Sequence, residues 1–271
     1  MAFITVNLFS QSLKRTVDIN VILPSDKVVD FSEKASSRCP RFKTLYLLHG
    51  YLGDRNDWVL NTPLRLLAEA HNLAVVMPSG DNNFYVDSPL PGNDYERFIT
   101  RELVALTRAM FPLSHRREDT FIAGLSMGGY GAIRNGLKHY RTFGAIGGFS
   151  SALQIYETEE SCRGAQLMCI PDPAKAFRSD WNPTVCFQRM AKRIAPSEFP
   201  KIYMACATED GLFPSNVHFR DMLRANGAEV TWHELPGGHN WDFWRVEIER
   251  FIEWLPLDEA EAGISSGNVK K

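Results

Sequence analysis

The 271-residue chain is long enough for one large α/β domain but short for two full domains. Its 30 basic and 32 acidic residues give a formal net charge of −2, and no long basic run is present. This balance argues against nucleic acid or an anionic membrane surface as a partner.

The first segments in chain order are short and rich in β-branched residues. Residues 3–9 and 16–23 predict an antiparallel hairpin with a polar turn between them. Residues 44–49 are almost wholly apolar, which is typical of a strand buried on both faces of a parallel sheet. Thr62 and Pro63 then have the N-cap and N1 chemistry that begins a helix.

Strands and helices alternate after this point. Further strands are predicted at 73–78, 120–124, 143–149, 201–207 and 229–235. Helices with one apolar face are predicted at 94–111, 127–139, 215–227 and from residue 241 onward. Such alternation predicts one mostly parallel sheet with helices on both faces.

One segment interrupts the alternation. Residues 150–199 lie between two predicted strands and contain several prolines, with a helix start at Asn182 and Pro183. An insertion here lies over the carboxyl edge of the sheet, where α/β enzymes bind ligands. We therefore predict a single domain over 1–257 that includes a small cap insertion at 150–199, followed by a frayed tail at 258–271.

Targeting signals and metal motifs are both missing from the sequence. The N-terminus lacks a charged segment followed by a long apolar one, and no stretch has the apolar length of a membrane span. The five cysteines are odd in number and lack metal-ligand spacing. We expect reduced thiols in a cytoplasmic protein, with a Cys162–Cys169 bridge as the less favoured alternative. No metal or other cofactor is expected, and a homo-oligomer is compatible with the sequence.

The most informative motif is Gly124-Leu125-Ser126-Met127-Gly128. It matches G-x-S-x-G, in which a serine sits on a sharp turn between a strand and a helix. A five-residue pattern also occurs in ordinary turns, so the predicted strand before it and helix after it carry the assignment. Ser126 is therefore the predicted nucleophile.

A serine nucleophile needs a histidine base, and in this motif's usual context the base follows the last strand. Among the seven histidines, His239 comes directly after strand 229–235 and after two glycines that suit a tight loop. His233 lies inside that strand, where packing is the simpler explanation. His239 is therefore the predicted base.

The acid that orients the base should lie between the serine and the histidine in the chain, after a strand end. Asp210 follows strand 201–207 and fits this position. Its neighbour Glu209 is the alternative, because a glutamate can also orient a histidine. Asp210 is preferred because Gly211 after it permits a sharp turn.

Two backbone N–H groups are predicted to form an oxyanion hole. The N–H of Met127, just after the nucleophile, is one donor. The other should come from the loop after strand 44–49, where Gly50 lets the chain turn and the N–H of Tyr51 is best placed. His49 is interpreted as a brace for this loop and not as a base.

Five segments, one of which contains the serine motif, point to a known family. They are Leu47–Gly50, Asp57-Trp58, Val76–Pro78, Phe121–Gly131 and Gly238-His239 with Trp241 close behind. Together they resemble the esterase D superfamily, with the closest likeness to the bacterial tributyrin esterases, also called acetyl esterases. The resemblance implies an α/β-hydrolase fold and cofactor-free hydrolysis of short-chain acyl esters. It also implies that Ser126 is the nucleophile, Asp210 the acid and His239 the base, with Tyr51 and Met127 as the oxyanion donors.

The leading functional hypothesis is a serine carboxylesterase that hydrolyses short acyl esters of small molecules through an acyl-enzyme. The alternatives are an S-formylglutathione hydrolase with the same residues and a thioester substrate, and a non-catalytic binding module on the same fold. Aromatic residues in loops or in the cap insertion, Trp58, Tyr85 and Trp181, are candidates for the substrate pocket, with ordinary packing as the alternative for each.

Overall fold

The computed structural model describes residues 1–27, 41–164 and 173–258. All eight strands in these ranges belong to one sheet, in the spatial order β1-β2-β4-β3-β5-β6-β7-β8. The strands are β1 Ala2–Ser10, β2 Arg15–Leu23, β3 Lys43–Leu48, β4 Leu73–Pro78, β5 Thr120–Leu125, β6 Ala145–Phe149, β7 Lys201–Ala205 and β8 Val230–His233.

The sheet is mostly parallel, as the alternation predicts. β2 runs antiparallel to both β1 and β4, and the pairs from β4 through β3, β5, β6 and β7 to β8 are all parallel. Every residue of β4, β5 and β6 is buried, because helices cover both faces of the sheet. The carboxyl ends of these parallel strands therefore meet at one edge.

Ten α-helical segments accompany the sheet in the described ranges. They are α1 Asp57–Asn61, α2 Leu64–Ala70, α3 Tyr95–Arg97, α4 Leu103–Met110, α5 Met127–Lys138, α6 Glu159–Gly164, α7 Pro173–Phe177, α8 Pro183–Ala191, α9 Phe213–Ala225 and α10 Trp241–Trp254. One apolar cluster packs the sheet against α4, α5, α8 and α9, and a second packs it against α1, α2 and α10.

The helix predicted over 94–111 contains a wider turn. A π-helical segment, Phe98–Glu102, joins α3 to α4. The Glu102 carboxylate accepts hydrogen bonds from Ser10 Oγ at 2.9 Å and from the N–H groups of Gln11 at 2.6 Å and Ser12 at 2.9 Å. The wider turn lies where this carboxylate contacts the β1–β2 turn. The spacing of apolar residues along 94–111 cannot predict this contact.

The described part of the predicted cap insertion, 150–199, contains short helices, of which α8 begins as predicted. Asn182 is its N-cap, and the side-chain oxygen of Asn182 accepts a hydrogen bond from the N–H of Thr184 at 2.9 Å. The proposed alternative of a bridge between Cys162 and Cys169 lies outside the described residues.

A buried ion cluster ties α5 to α3 and to the cap insertion. Arg134 on α5 is fully buried, lies 2.5 Å from Glu96 Oε2 and donates to the backbone carbonyl of Asp180 at 2.7 Å. Lys138, one turn later, contacts Glu96 at 2.7 Å and Asp180 at 2.9 Å. Burial alone would raise the pKa of Glu96, but the hydrogen bond with His139, the Arg134 charge and Lys138 outweigh it and hold this pKa well below its usual range.

We predict that Glu96→Gln lowers the free energy of unfolding by about 3–5 kcal/mol, because Arg134 keeps its charge in a buried place with one partner fewer. Urea unfolding measures the change. The control is Glu118→Gln, an exposed partner of Arg116, for which little change is expected.

The pH dependence of the free energy of unfolding gives a second test of the Glu96→Gln variant. The folded-state pKa of Glu96 is depressed, so its contribution to stability is present above the unfolded-state pKa and is lost as the pH falls through the folded-state pKa. Wild type should therefore lose more stability on acidification than Glu96→Gln. Two results would show that the cluster does not stabilise the fold. Either wild type and Glu96→Gln would lose the same stability on acidification, or Glu96→Gln and Glu118→Gln would lower the free energy of unfolding equally at neutral pH.

Candidate active site

Ser126 occupies a strained turn between β5 and α5. Its φ of 52° and ψ of −115° lie in a region that a residue with a side chain rarely adopts, at a cost of about 1–3 kcal/mol. Three backbone hydrogen bonds hold the turn. The Ser126 N–H donates to the carbonyl of Phe149 at 2.9 Å, and the Ser126 carbonyl accepts from the N–H groups of Tyr130 and Ala152 at 3.0 Å each.

The glycines of the serine motif allow α5 to lie directly on the neighbouring strand. A Cβ on Gly128 would lie 2.6 Å from the carbonyl oxygen of Leu48 and 2.5 Å from that of His49. A Cβ on Gly124 would lie 2.5 Å from the carbonyl of Gly128. Any side chain at these positions would push α5 away from the end of β3.

The structure brings the three predicted residues Ser126, His239 and Asp210 into one hydrogen-bonded row. Nε2 of His239 lies 3.0 Å from Ser126 Oγ, and Nδ1 of His239 lies 2.7 Å from Asp210 Oδ2. The three residues follow β5, β8 and β7, which end at the same edge of the sheet. Asp210 is buried, while the side chain of His239 keeps 37% of its surface exposed.

Asp210 is held as a carboxylate. Burial alone would raise its pKa, but the hydrogen bond with His239, the N–H of Leu212 at 2.8 Å and the hydroxyl of Ser150 lower it below its usual value. An ionised Asp210 accepts a hydrogen bond from the protonated Nδ1 of His239, which leaves Nε2 free to accept a hydrogen bond from the Ser126 hydroxyl. The side chain of the alternative acid, Glu209, is exposed to solvent.

The two predicted oxyanion donors lie in suitable backbone positions. Met127 is the first residue of α5, where a helix N–H has no acceptor within the helix. Within the described ranges, the N–H groups of Met127 and Tyr51 donate no hydrogen bond. The next N–H along the loop, that of Leu52, is already bound to Asn82 Oδ1 at 2.8 Å. The unpaired N–H groups of Tyr51 and Met127 are compatible with the predicted oxyanion hole, which stays a prediction.

His49 braces the loop that contains Tyr51. It is 1% exposed, and its Nε2 accepts from the Gly80 N–H at 2.8 Å, so Nδ1 carries the proton and donates to the Gly50 carbonyl at 2.7 Å. Burial lowers the pKa of His49, which favours the neutral ring that this pattern needs. The interpretation of His49 as a structural residue fits this geometry.

Two of the three candidates for the substrate pocket are packing residues instead. Trp58 is 1% exposed, and its Nε1 donates to the Leu48 carbonyl at 3.0 Å. Tyr85 is fully buried, and its hydroxyl donates to the His49 carbonyl at 2.9 Å. The prediction that these rings reach the substrate is wrong, because each ring is buried and its polar atom is bound to a backbone carbonyl. Trp181 is partly exposed, and its role stays a prediction.

Two residues near the row were not singled out from the sequence. Ser150 is buried with a φ of 46°, follows the end of β6 and faces Asp210. Trp244 lies edge to face with His239, their ring centroids 4.9 Å apart. Trp244 also contacts Trp241, which in turn contacts Trp58. The position of Ser150 after a strand end was an available signal, whereas Trp244 appeared only as part of an apolar helix face.

Comparisons with known proteins agree with this architecture. The Esterase family model matches residues 10–255. An acetyl esterase of Caldicellulosiruptor saccharolyticus is 37% identical over 265 residues, which cover 94% of this chain and 98% of the relative. An S-formylglutathione hydrolase of Staphylococcus aureus has a similar structure, with a TM-score of 0.80 and 27% identity over 94% of this chain and 98% of that one.

A substrate-bound structure of the fluorophosphonate-binding serine hydrolase F of Staphylococcus aureus is also similar, with a TM-score of 0.78, 27% identity and the same coverage. The fold is therefore that of the α/β hydrolases, as predicted. The chain belongs to the esterase family whose model it matches. Among the described residues, no helix is long and apolar enough to cross a membrane.

The close packing of the serine motif leads to a prediction about stability. Gly128→Ala should lower the free energy of unfolding by about 1–3 kcal/mol or more, because its Cβ would meet two fixed carbonyl oxygens. The control is Gly211→Ala, since a Cβ there has no atom within 4 Å. Thermal unfolding followed by circular dichroism compares the two variants. A Gly128→Ala protein as stable as the control would contradict the close approach of α5 to β3.

Proposed function

We propose that the protein is a serine esterase that hydrolyses short-chain acyl esters through an acyl-enzyme. The observation that carries the proposal is the hydrogen-bonded row Ser126–His239–Asp210. The N–H groups of Tyr51 and Met127, which have no acceptor among the described residues, support it. The row has the arrangement of a serine nucleophile, its base and the acid that orients the base. The 37% identity to an acetyl esterase supports a short acyl group.

In the first half of the reaction, His239 Nε2 takes the proton of the Ser126 hydroxyl while Ser126 Oγ bonds to the carbonyl carbon. The negative oxygen that forms is bound by the N–H groups of Tyr51 and Met127. His239 then gives its proton to the departing alcohol, and the carbon–oxygen bond to the alcohol breaks. Asp210 stabilises the imidazolium that exists between these two proton transfers.

In the second half, water attacks the acyl-enzyme. His239 takes a proton from the water, and the oxygen of the water bonds to the carbonyl carbon. Collapse of this intermediate breaks the bond to Ser126, which recovers its proton from His239. His239 is reached by both alcohol and water because its side chain is partly exposed.

A thioesterase is the second candidate. The similarity to an S-formylglutathione hydrolase, at 27% identity over nearly the whole of both chains, supports it. The two functions share the same chemistry and differ in the leaving group. Measuring kcat/KM for S-formylglutathione beside that for p-nitrophenyl acetate and acetylated sugars separates them.

Ser126→Ala tests the nucleophile. We expect kcat to fall by a factor on the order of a million, because no other group forms the acyl-enzyme. A fluorophosphonate probe should label wild type at Ser126 and leave the variant unlabelled. A variant that folds and retains a substantial part of the wild-type rate would remove Ser126 from the mechanism.

Asp210→Asn tests the acid. An amide in place of the carboxylate favours the wrong tautomer of His239, so we expect kcat to fall by about 10⁴. Glu209→Gln is the matched control, since it makes the same chemical change on the adjacent exposed residue and should leave kcat nearly unchanged. Ester hydrolysis at saturating substrate measures kcat for both variants. A lower kcat for Glu209→Gln than for Asp210→Asn would assign the role of the acid to Glu209.

A further inference from the structure

Asn216 is a fully buried side chain on α9, the helix that follows Asp210. Its Oδ1 accepts a hydrogen bond from the Ser151 N–H at 3.1 Å. Its Nδ2 donates to the carbonyl groups of Ser151 and Leu212, at 2.8 Å each. All three hydrogen bonds end on backbone atoms, and only one orientation of the amide satisfies them together.

The two segments that Asn216 joins both supply partners to the Asp210 carboxylate. Leu212 is the N-cap of α9, and its N–H donates to Asp210 Oδ1 at 2.8 Å. Ser150, which directly precedes Ser151, is fully buried and turns its hydroxyl toward the same carboxylate. The position of Asp210 therefore depends on how closely these two segments are held together.

The segment after β6 is also fixed to the turn that carries Ser126. Ser150, at the start of this segment, has a φ of 46°, a conformation that persists only where surrounding contacts enforce it. Two residues later, the N–H of Ala152 donates to the Ser126 carbonyl at 3.0 Å. The Asn216 amide thus completes a continuous set of contacts between the nucleophile turn and the loop that carries the acid.

We propose that Asn216 is a positioning residue, which fixes the Asp210 carboxylate and, through it, the ring of His239 relative to Ser126. The role rests on the serine esterase function proposed above. An amide suits this task because it both donates and accepts hydrogen bonds and brings no charge that would compete with Asp210 for His239. The rate of hydrolysis should therefore depend on Asn216 although its side chain is fully buried.

The test measures kcat and KM for p-nitrophenyl acetate, well below the unfolding temperature of each variant. Asn216→Ala removes all three hydrogen bonds, and we expect kcat to fall about 10- to 100-fold, as for a small displacement of a reacting group. KM should stay nearly unchanged, because the buried amide does not meet the substrate. A wild-type kcat in this variant would overturn the proposed role.

A double substitution separates positioning of the acid from a general loss of packing. If Asn216 acts through Asp210, then Asn216→Ala should add little to the loss of kcat that Asp210→Asn already causes, since residues that act as one unit are not additive. The same fold loss in wild type and in Asp210→Asn would overturn the link between the two residues.

Asn216→Ser is a milder variant and takes the place of Asn216→Ala if that protein does not fold. A serine in a helix can donate to the carbonyl four residues earlier, here that of Leu212, but it loses both bonds to Ser151. We expect kcat to fall in this variant also, and again to change little in the Asp210→Asn background.

The matched control is Asn182→Ala. Asn182 is also a buried asparagine with its amide bound to backbone, but its partners, the Phe177 carbonyl and the Thr184 N–H at 2.9 Å each, lie in the cap insertion. This variant should lose stability and keep the wild-type kcat. An equal fall in kcat for Asn182→Ala would show that lost packing, and not positioning, lowers the rate.

Two failures are distinguishable. A wild type that hydrolyses neither esters nor thioesters and is not labelled by a fluorophosphonate would overturn the proposed function, and the role of Asn216 with it. An active wild type whose kcat is kept by the Asn216 variants would overturn the role of Asn216 alone.

Discussion

The site depends on the direct contact between the first turn of α5 and the end of β3. Gly128 packs its backbone against the carbonyl groups of Leu48 and His49 with no room for a Cβ. One side of this contact carries Ser126 and the N–H of Met127, and the other side leads into the loop with the N–H of Tyr51. The distance between Ser126 and the N–H group of Tyr51 is therefore set by close backbone packing.

Ser126 and His239 are positioned from opposite faces of the sheet. Ser126 begins α5, which packs into one apolar cluster, whereas His239 precedes α10, which packs into the other. Their hydrogen bond crosses the sheet edge between the two. Asp210 lies between them in the strand order and is buried, so a buried carboxylate holds the exposed ring of His239.

The local motif and the strand order account for much of what could be predicted. Gly124 and Gly128 identify Ser126 because a sharp turn against a strand has a local residue requirement. Asp210 and His239 follow from parallel strands whose carboxyl ends meet at one edge. The burial of Trp58 and Tyr85 could not be predicted, because a position near a strand end does not determine where a ring points. Tyr85 has a φ of 56°, and its direction depends on that conformation and on a distant carbonyl.

The aromatic contacts behind His239 have a further, optical consequence. Three of the six tryptophans, Trp58, Trp241 and Trp244, form an edge-to-face series that ends on the imidazole ring. Indole emission depends on the charge and distance of the groups that the ring touches. The emission of Trp244 is therefore expected to depend on the position and charge of the His239 ring, so a movement of this ring would change the fluorescence without any added label.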